Sequence, residues 1–119
     1  MKILIVDDID MNRILLNKIL KKSGFQTELF EDGFEVVKYY KNLTKKDALN
    51  INLILMDIRM PVMDGVAATK QLKKSGYKGP VVAVTASWPS TLKSHFNDVL
   101  HKPVSAKSLL LKVSQLTEK

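Results

Sequence analysis

Four short apolar runs punctuate the chain, and each stops at polar residues. Ile3-Leu4-Ile5-Val6 ends in Asp7-Asp8, Asn52-Leu53-Ile54-Leu55-Met56 in Asp57, Val81-Val82-Ala83-Val84 in Thr85, and the shorter Val99-Leu100 in His101-Lys102-Pro103. Continuous runs of this length, rich in β-branched residues, predict strands buried on both faces. A weaker stretch, Gln26 to Phe30, alternates and predicts a further strand.

Helical spacing fills the intervals. Asn12, Leu15, Leu16, Ile19 and Leu20 share one helix face, with Asn12 near the start of the buried stripe, and Ser23-Gly24 is the stop signal. Gly33 to Leu43 carries Phe34, Val36, Val37 and Tyr40 as a second helix. Asp64 reads as the N-cap of a third, which runs through Val66, Ala67 and Leu72 to Ser75-Gly76. Ser105 caps the last, with Ala106, Leu109, Leu110, Val113 and Leu116 on its apolar face. Pro89 to Phe96 leaves room for only a short helix, and Leu43 to Ile51 reads as a polar loop. Alternating strands and helices predict an α/β domain with a parallel sheet and helices on both faces.

Composition narrows the chemistry. A chain of 119 residues with 45% hydrophobic and 26% charged residues holds one packed domain, residues 1–119, without linkers or repeats. No apolar stretch approaches the roughly 18 to 20 residues that span a bilayer, and the N-terminus enters an apolar, acid-tipped segment rather than a signal peptide, so a cytoplasmic location without membrane insertion is expected. The absence of cysteine excludes disulfides, zinc ribbons and thiol nucleophiles, and His95 and His101 alone do not make a histidine-rich metal site. The formal charge of +7 raises nucleic acid as a partner. Against it, Arg13 and Arg59 are the only arginines, and the lysines are scattered like solvated helix faces rather than grouped with aromatics.

In an open parallel sheet, ligands bind beyond the carboxyl ends of the strands. There the predicted strands bring Asp7, Asp8, Asp57, Thr85 and Lys102 together. Crowded carboxylates repel, and a hard divalent cation that prefers oxygen ligands relieves that repulsion, which points to magnesium. A lysine and a threonine hydroxyl suit a dianionic phosphoryl group. Each residue taken singly could be a solvated turn or surface residue; the joint arrangement carries the reading. Neither a Gly-x-Gly-x-x-Gly fingerprint nor a Walker-type loop is present, and no Ser-His-Asp set can be assembled.

The run Asp57-Ile58-Arg59-Met60-Pro61-Val62-Met63-Asp64-Gly65, supported by Val6-Asp7-Asp8, Val84-Thr85-Ala86 and Lys102-Pro103, resembles the receiver domains of two-component response regulators over essentially the whole chain. The resemblance implies a five-stranded, doubly wound, flavodoxin-like fold with strand order 2-1-3-4-5. It also implies that Asp57 is the nucleophile accepting a phosphoryl group from phosphohistidine on a partner protein. Asp8 would bind magnesium directly, Asp7 mainly through water, and the main-chain carbonyl of Arg59 would be a further ligand beside the phosphoryl group. Lys102 would pair with a phosphoryl oxygen, while Thr85 offers its hydroxyl and Ala86 its N–H. A cis Lys102-Pro103 peptide is implied as well. Such a domain catalyses its own phosphorylation and dephosphorylation but turns over no external substrate.

Two departures mark this chain. Val99 stands where the family carries an aromatic residue three positions before the lysine, so coupling of the threonine to a moving ring does not carry over. The short interval from Thr85 to Lys102 implies a shortened fourth helix. Asn12, Ser75-Gly76 and Lys102-Pro103-Val104 resemble receivers attached to hybrid histidine kinases, which work with a kinase and a histidine phosphotransfer domain; a free-standing single-domain regulator is the alternative. A magnesium-dependent phosphohydrolase of the haloacid dehalogenase kind would want a second Asp two residues after the nucleophile, where Arg59 stands. Met11 and Ile14 lie off the core stripe of the first helix and form an expected docking surface for the partner, with Arg13 and Lys18 as steering charges.

Overall fold

The structure, a computed structural model, describes residues 2–87 and 94–117. The strands are β1 (Lys2–Val6), β2 (Gln26–Phe30), β3 (Ile51–Asp57), β4 (Val81–Thr85) and β5 (Asp98–His101). The helices are α1 (Asp10–Lys22), α2 (Gly33–Lys41), α3 (Lys45–Leu49), α4 (Gly65–Lys74) and α5 (Ala106–Thr117). All strand pairs are parallel, in the order β2-β1-β3-β4-β5, as expected for a doubly wound sheet.

Because successive strand side chains point to opposite faces, each central strand feeds two cores. Leu4, Val6, Ile54, Met56, Val81 and Ala83 pack on one face with Val36 and Val37 of α2 and Ala68 and Leu72 of α4. Ile3, Ile5, Leu53, Leu55, Val82 and Val84 pack on the other with Leu16 and Leu20 of α1 and Leu109 and Val113 of α5. Burying a side chain of this kind contributes about 1.5–3 kcal/mol each, so β1 and β3 hold the residues at their ends between two packed cores.

Helix boundaries follow local chemistry. Asp64 Oδ1 accepts from Ala67 N at 2.9 Å, and Ser105 Oγ accepts from Ser108 N at 3.1 Å, as the capping pattern predicts. Two residues past Lys22, the chain turns out of α1 at Gly24, whose φ of 91° suits glycine.

Several expectations are corrected. The polar segment from Leu43 to Ile51 contains α3, a five-residue helix capped by Thr44 and burying none of its residues. On α1, Leu15 is exposed whereas Arg13 is buried, so Arg13 is not a free steering charge. Phe34 of α2 is exposed as well, and α4 turns Ala68 and Thr69 inward while Ala67 faces solvent. The short helix expected over 89–96 falls largely on residues 88–93, outside the described residues. No helix among the described residues is long and apolar enough to cross a membrane.

Candidate functional site

β1 and β3 are adjacent and in register, so their carboxyl ends deliver Asp7, Asp8 and Asp57 to one place. One carboxylate oxygen from each of the three lies within 4.8 Å of the others. Asp7 and Asp57 are buried and Asp8 is exposed. Asp7 Oδ1 is held by Ile9 N at 2.9 Å and, more loosely, by Asn12 Nδ2 at 3.5 Å. Its Oδ2 faces the Lys102 ammonium at 3.0 Å but receives no hydrogen bond of good geometry, so a buried acceptor is left open.

Lys102 reaches both buried acids, lying 3.5 Å from Asp57 Oδ1. Its own N–H donates to the Thr85 carbonyl at 2.9 Å, which ties the end of β5 to the end of β4, and the Lys102-Pro103 peptide is cis. The carboxyl of Asp57 is pushed up to about 7, first by burial and then by the charge of Asp7; Lys102 opposes the rise, and Asp8 adds to it through a hydrogen bond and its charge. The ionised form of Asp57 is thus short of positive charge even with one lysine beside it. An open buried acceptor, three converging carboxylates and an acid held near neutrality fit a hard divalent cation.

A cleft of about 290 Å³ opens over the cluster, lined by Asp8, Asp57, Arg59, Thr85, Ala86 and Lys102, together with Ile9 and Ser87. All the sequence-predicted site residues at the strand ends are therefore in one place. Thr85 is buried, and its hydroxyl donates to the Ser87 carbonyl at 2.7 Å while accepting from Ser87 N at 3.2 Å. That closed hydroxyl turn must open before Thr85 can donate to a ligand. Met11 and Ile14 are 78% and 60% exposed on α1 and do not line the cleft.

The loop after Asp57 is shaped by close approach. A Cβ on Gly65 would stand 2.2 Å from the Asp57 carbonyl oxygen, so glycine lets the start of α4 rest against the strand that carries Asp57. Gly65 N donates to the Ile58 carbonyl at 2.8 Å. Met63 N reaches the Pro61 carbonyl at 2.7 Å around Val62, whose φ is 70°, a γ-turn centred on a β-branched residue.

Sequence reasoning missed two members of this arrangement. Ser87 follows Thr85 by two residues, the spacing of a hydroxyl turn, which is the signal that could have found it. Arg13 donates from Nη1 to the Asp7 carbonyl at 2.6 Å and pairs with Asp10, contacts that a helical-periodicity reading does not contain.

The fold is thus an α/β domain whose parallel 2-1-3-4-5 sheet carries an acidic pocket, a lysine and a threonine at its carboxyl edge. The family described as response regulator receiver domain matches residues 3–114, and the chain belongs to it. It is 36% identical over 115 residues to the osmosensing histidine protein kinase SLN1 of Saccharomyces cerevisiae, covering 91% of this chain but only 9% of that kinase. Among solved structures, it superposes with a TM-score of 0.85 and 26% identity on the receiver domain of sensor histidine kinase PA1611 from Pseudomonas aeruginosa, covering 99% of this chain and 98% of that one. That structure holds a magnesium ion coordinated in its active site cleft. The receiver domain of the response regulator Ssk1, co-crystallised with the histidine phosphotransfer protein Ypd1 of Saccharomyces cerevisiae, aligns at 29% identity and a TM-score of 0.83, covering 98% of this chain and 88% of that one. The chain is thus a receiver domain of two-component signalling, similar to the receivers of hybrid histidine kinases.

Proposed function

We propose that residues 1–119 act as one receiver domain that takes a phosphoryl group from phosphohistidine onto Asp57, as a cytoplasmic relay within a hybrid histidine kinase phosphorelay. The observation that carries this reading is the Asp7, Asp8 and Asp57 cluster with Lys102 bridging its two buried members. An Asp57 carboxylate oxygen attacks phosphorus in line. The P–N bond breaks, and the imidazole nitrogen leaves with the electron pair and takes a proton from solvent. Such a transfer depends on positioning and charge neutralisation more than on acid–base groups.

Magnesium, held by Asp8, Asp57 and the Arg59 carbonyl with Asp7 acting through water, would supply the positive charge that the carboxylates and the incoming phosphoryl oxygens lack. Lys102 moves from sharing two carboxylates to pairing with a phosphoryl oxygen. Thr85 exchanges the Ser87 carbonyl for a phosphoryl oxygen, and the Ala86 N–H donates to another. With Val99 half-buried on β5, the phosphorylated state is read without an aromatic switch at that position. The exposed Met11 and Ile14 serve as the docking surface for a kinase or a histidine phosphotransfer domain.

Incubation with acetyl phosphate and magnesium, followed by intact-mass measurement, tests the reading. Wild type gains one phosphoryl group, and Asp57→Asn gains none. Equal labelling of the two proteins, or none of wild type, overturns it.

A further inference from the structure

The end of the sheet opposite Asp57 carries a second concavity. β3 begins there at Ile51 and reaches Asp57 six residues later, about 20 Å away along the strand. The groove, about 560 Å³, lies between the end of α2, α3 and the turn from α4 into β4. Its floor is aromatic, with Tyr40 and Tyr77 edge to face at 5.8 Å and both buried. Leu49 stands at its lip, 77% exposed. Lys41, Lys45 and Lys78 form its rim, and among the described residues no acidic one lines it.

Helix stability accounts for only one of these charges. Lys41 sits in the last turn of α2, where a cation favours the helix dipole. Lys45, by contrast, occupies the first position of α3, where a cation opposes the dipole, and Lys78 belongs to a loop. The apolar side chain of Leu49 is likewise unexplained by packing, since α3 buries none of its residues. A predominantly apolar concavity of this size with a few convergent charges of one sign has the form of a small-molecule site.

We infer that this groove binds a single anionic amphiphile, with its apolar chain over Tyr40, Tyr77 and Leu49 and its carboxylate or phosphate head on Lys41, Lys45 and Lys78. The site is separate from the phosphoryl cleft, and the inference does not rest on the function proposed for that cleft.

Calorimetric titration with decanoate, kept monomeric, tests it against decanol and against vesicles of phosphatidylcholine containing phosphatidylserine. Decanoate binds wild type saturably with one site, and decanol binds about tenfold more weakly or less, the loss expected for one charge-assisted contact. The variant carrying Lys45→Glu and Lys78→Glu loses decanoate affinity by a similar factor, as does Ala48→Phe, which fills the groove. A cooperative urea transition with an m-value like that of wild type shows that each variant is folded. Failure of wild type to bind decanoate, undiminished binding by the folded lysine variant, or binding to vesicles without binding to monomer overturns the inference. Monomer binding together with vesicle binding supports it and identifies bilayer lipid as a source.

Discussion

Arg13 donates from Nη1 to the main-chain carbonyl of Asp7 at 2.6 Å, with its guanidinium also paired to Asp10 and 3.9 Å from Glu31. The turn that presents Asp7 and Asp8 is thereby fixed from beneath by a buried side chain of the following helix. Arg13→Met keeps the apolar stem but removes every donor, leaving the Asp7 carbonyl without its charged partner. A loss of about 1–3 kcal/mol is expected, read as a lower urea midpoint at constant m-value. Arg13→Lys recovers little of it, because an ammonium lacks the fork that spans the Asp7 carbonyl and Asp10 together. An unchanged midpoint for Arg13→Met would show that the guanidinium does not fix the turn.

The titration of Asp57 makes stability depend on pH. Its carboxyl titrates at about 7 in the folded chain, against 3.8 for the free group. Between those values the folded state binds more protons than the unfolded state, so stability falls as pH rises. In metal-free buffer, Asp57→Asn escapes this loss and gains on wild type from about pH 4 to about pH 7, with the advantage constant above that range. Magnesium narrows the gap by stabilising the ionised carboxylate of wild type. Paired urea titrations across the range decide the matter; a difference that does not vary with pH would mean that Asp57 ionises normally.

Val62 is held at a φ of 70° with its side chain 82% exposed, so it pays backbone strain without a packing return. A non-glycine residue in such a conformation costs of order 1–3 kcal/mol, and the added chain entropy of glycine offsets about 0.5–1 kcal/mol of the relief. Val62→Gly should therefore stabilise the domain by about 1 kcal/mol in urea unfolding. Destabilisation instead would place the strain elsewhere in the loop.

The strand ends were legible because a parallel sheet buried on both faces writes each strand as a continuous apolar run, and the first polar residue after it marks the edge. Asp7, Asp57 and Thr85 follow from that rule and Lys102 stands one residue past it, after His101; the cleft brings together Asp57, Thr85 and Lys102. What stayed hidden depends on partners distant from the local pattern. Periodicity turns Leu15 inward, yet Arg13 takes the buried position because the Asp7 carbonyl is there to receive it. Helix α3 fully buries none of its residues and sets only Ala48 against the core, so it leaves no apolar stripe to read; its trace in the sequence is the Thr44 cap, which accepts from Asp47 N at 3.1 Å. The closed turn of Thr85 on Ser87 is likewise a matter of hydroxyl orientation that strand spacing cannot contain.

The exposed face of α1 tests the docking surface proposed for a phosphohistidine-bearing partner. Met11, Ile14 and Leu15 are all exposed, so Met11 and Ile14 do not simply widen the buried stripe; Leu16 and Leu20 hold that role. Contiguous apolar side chains beside an acidic cleft suit a helix that carries phosphohistidine, because the reacting nitrogen must approach Asp57 while its helix lies along α1. Lys18, exposed on the same helix, remains as a steering charge, so association with an acidic partner should slow as salt rises. Ile14→Asp places a charge at the centre of that surface without touching the cleft. Phosphotransfer from a histidine phosphotransfer domain should fall by about tenfold or more, as for loss of a central interface anchor. Labelling of Asp57 by acetyl phosphate should persist, since a small donor needs no docking face. Equal survival of both reactions in the folded variant would exclude α1 as the docking surface.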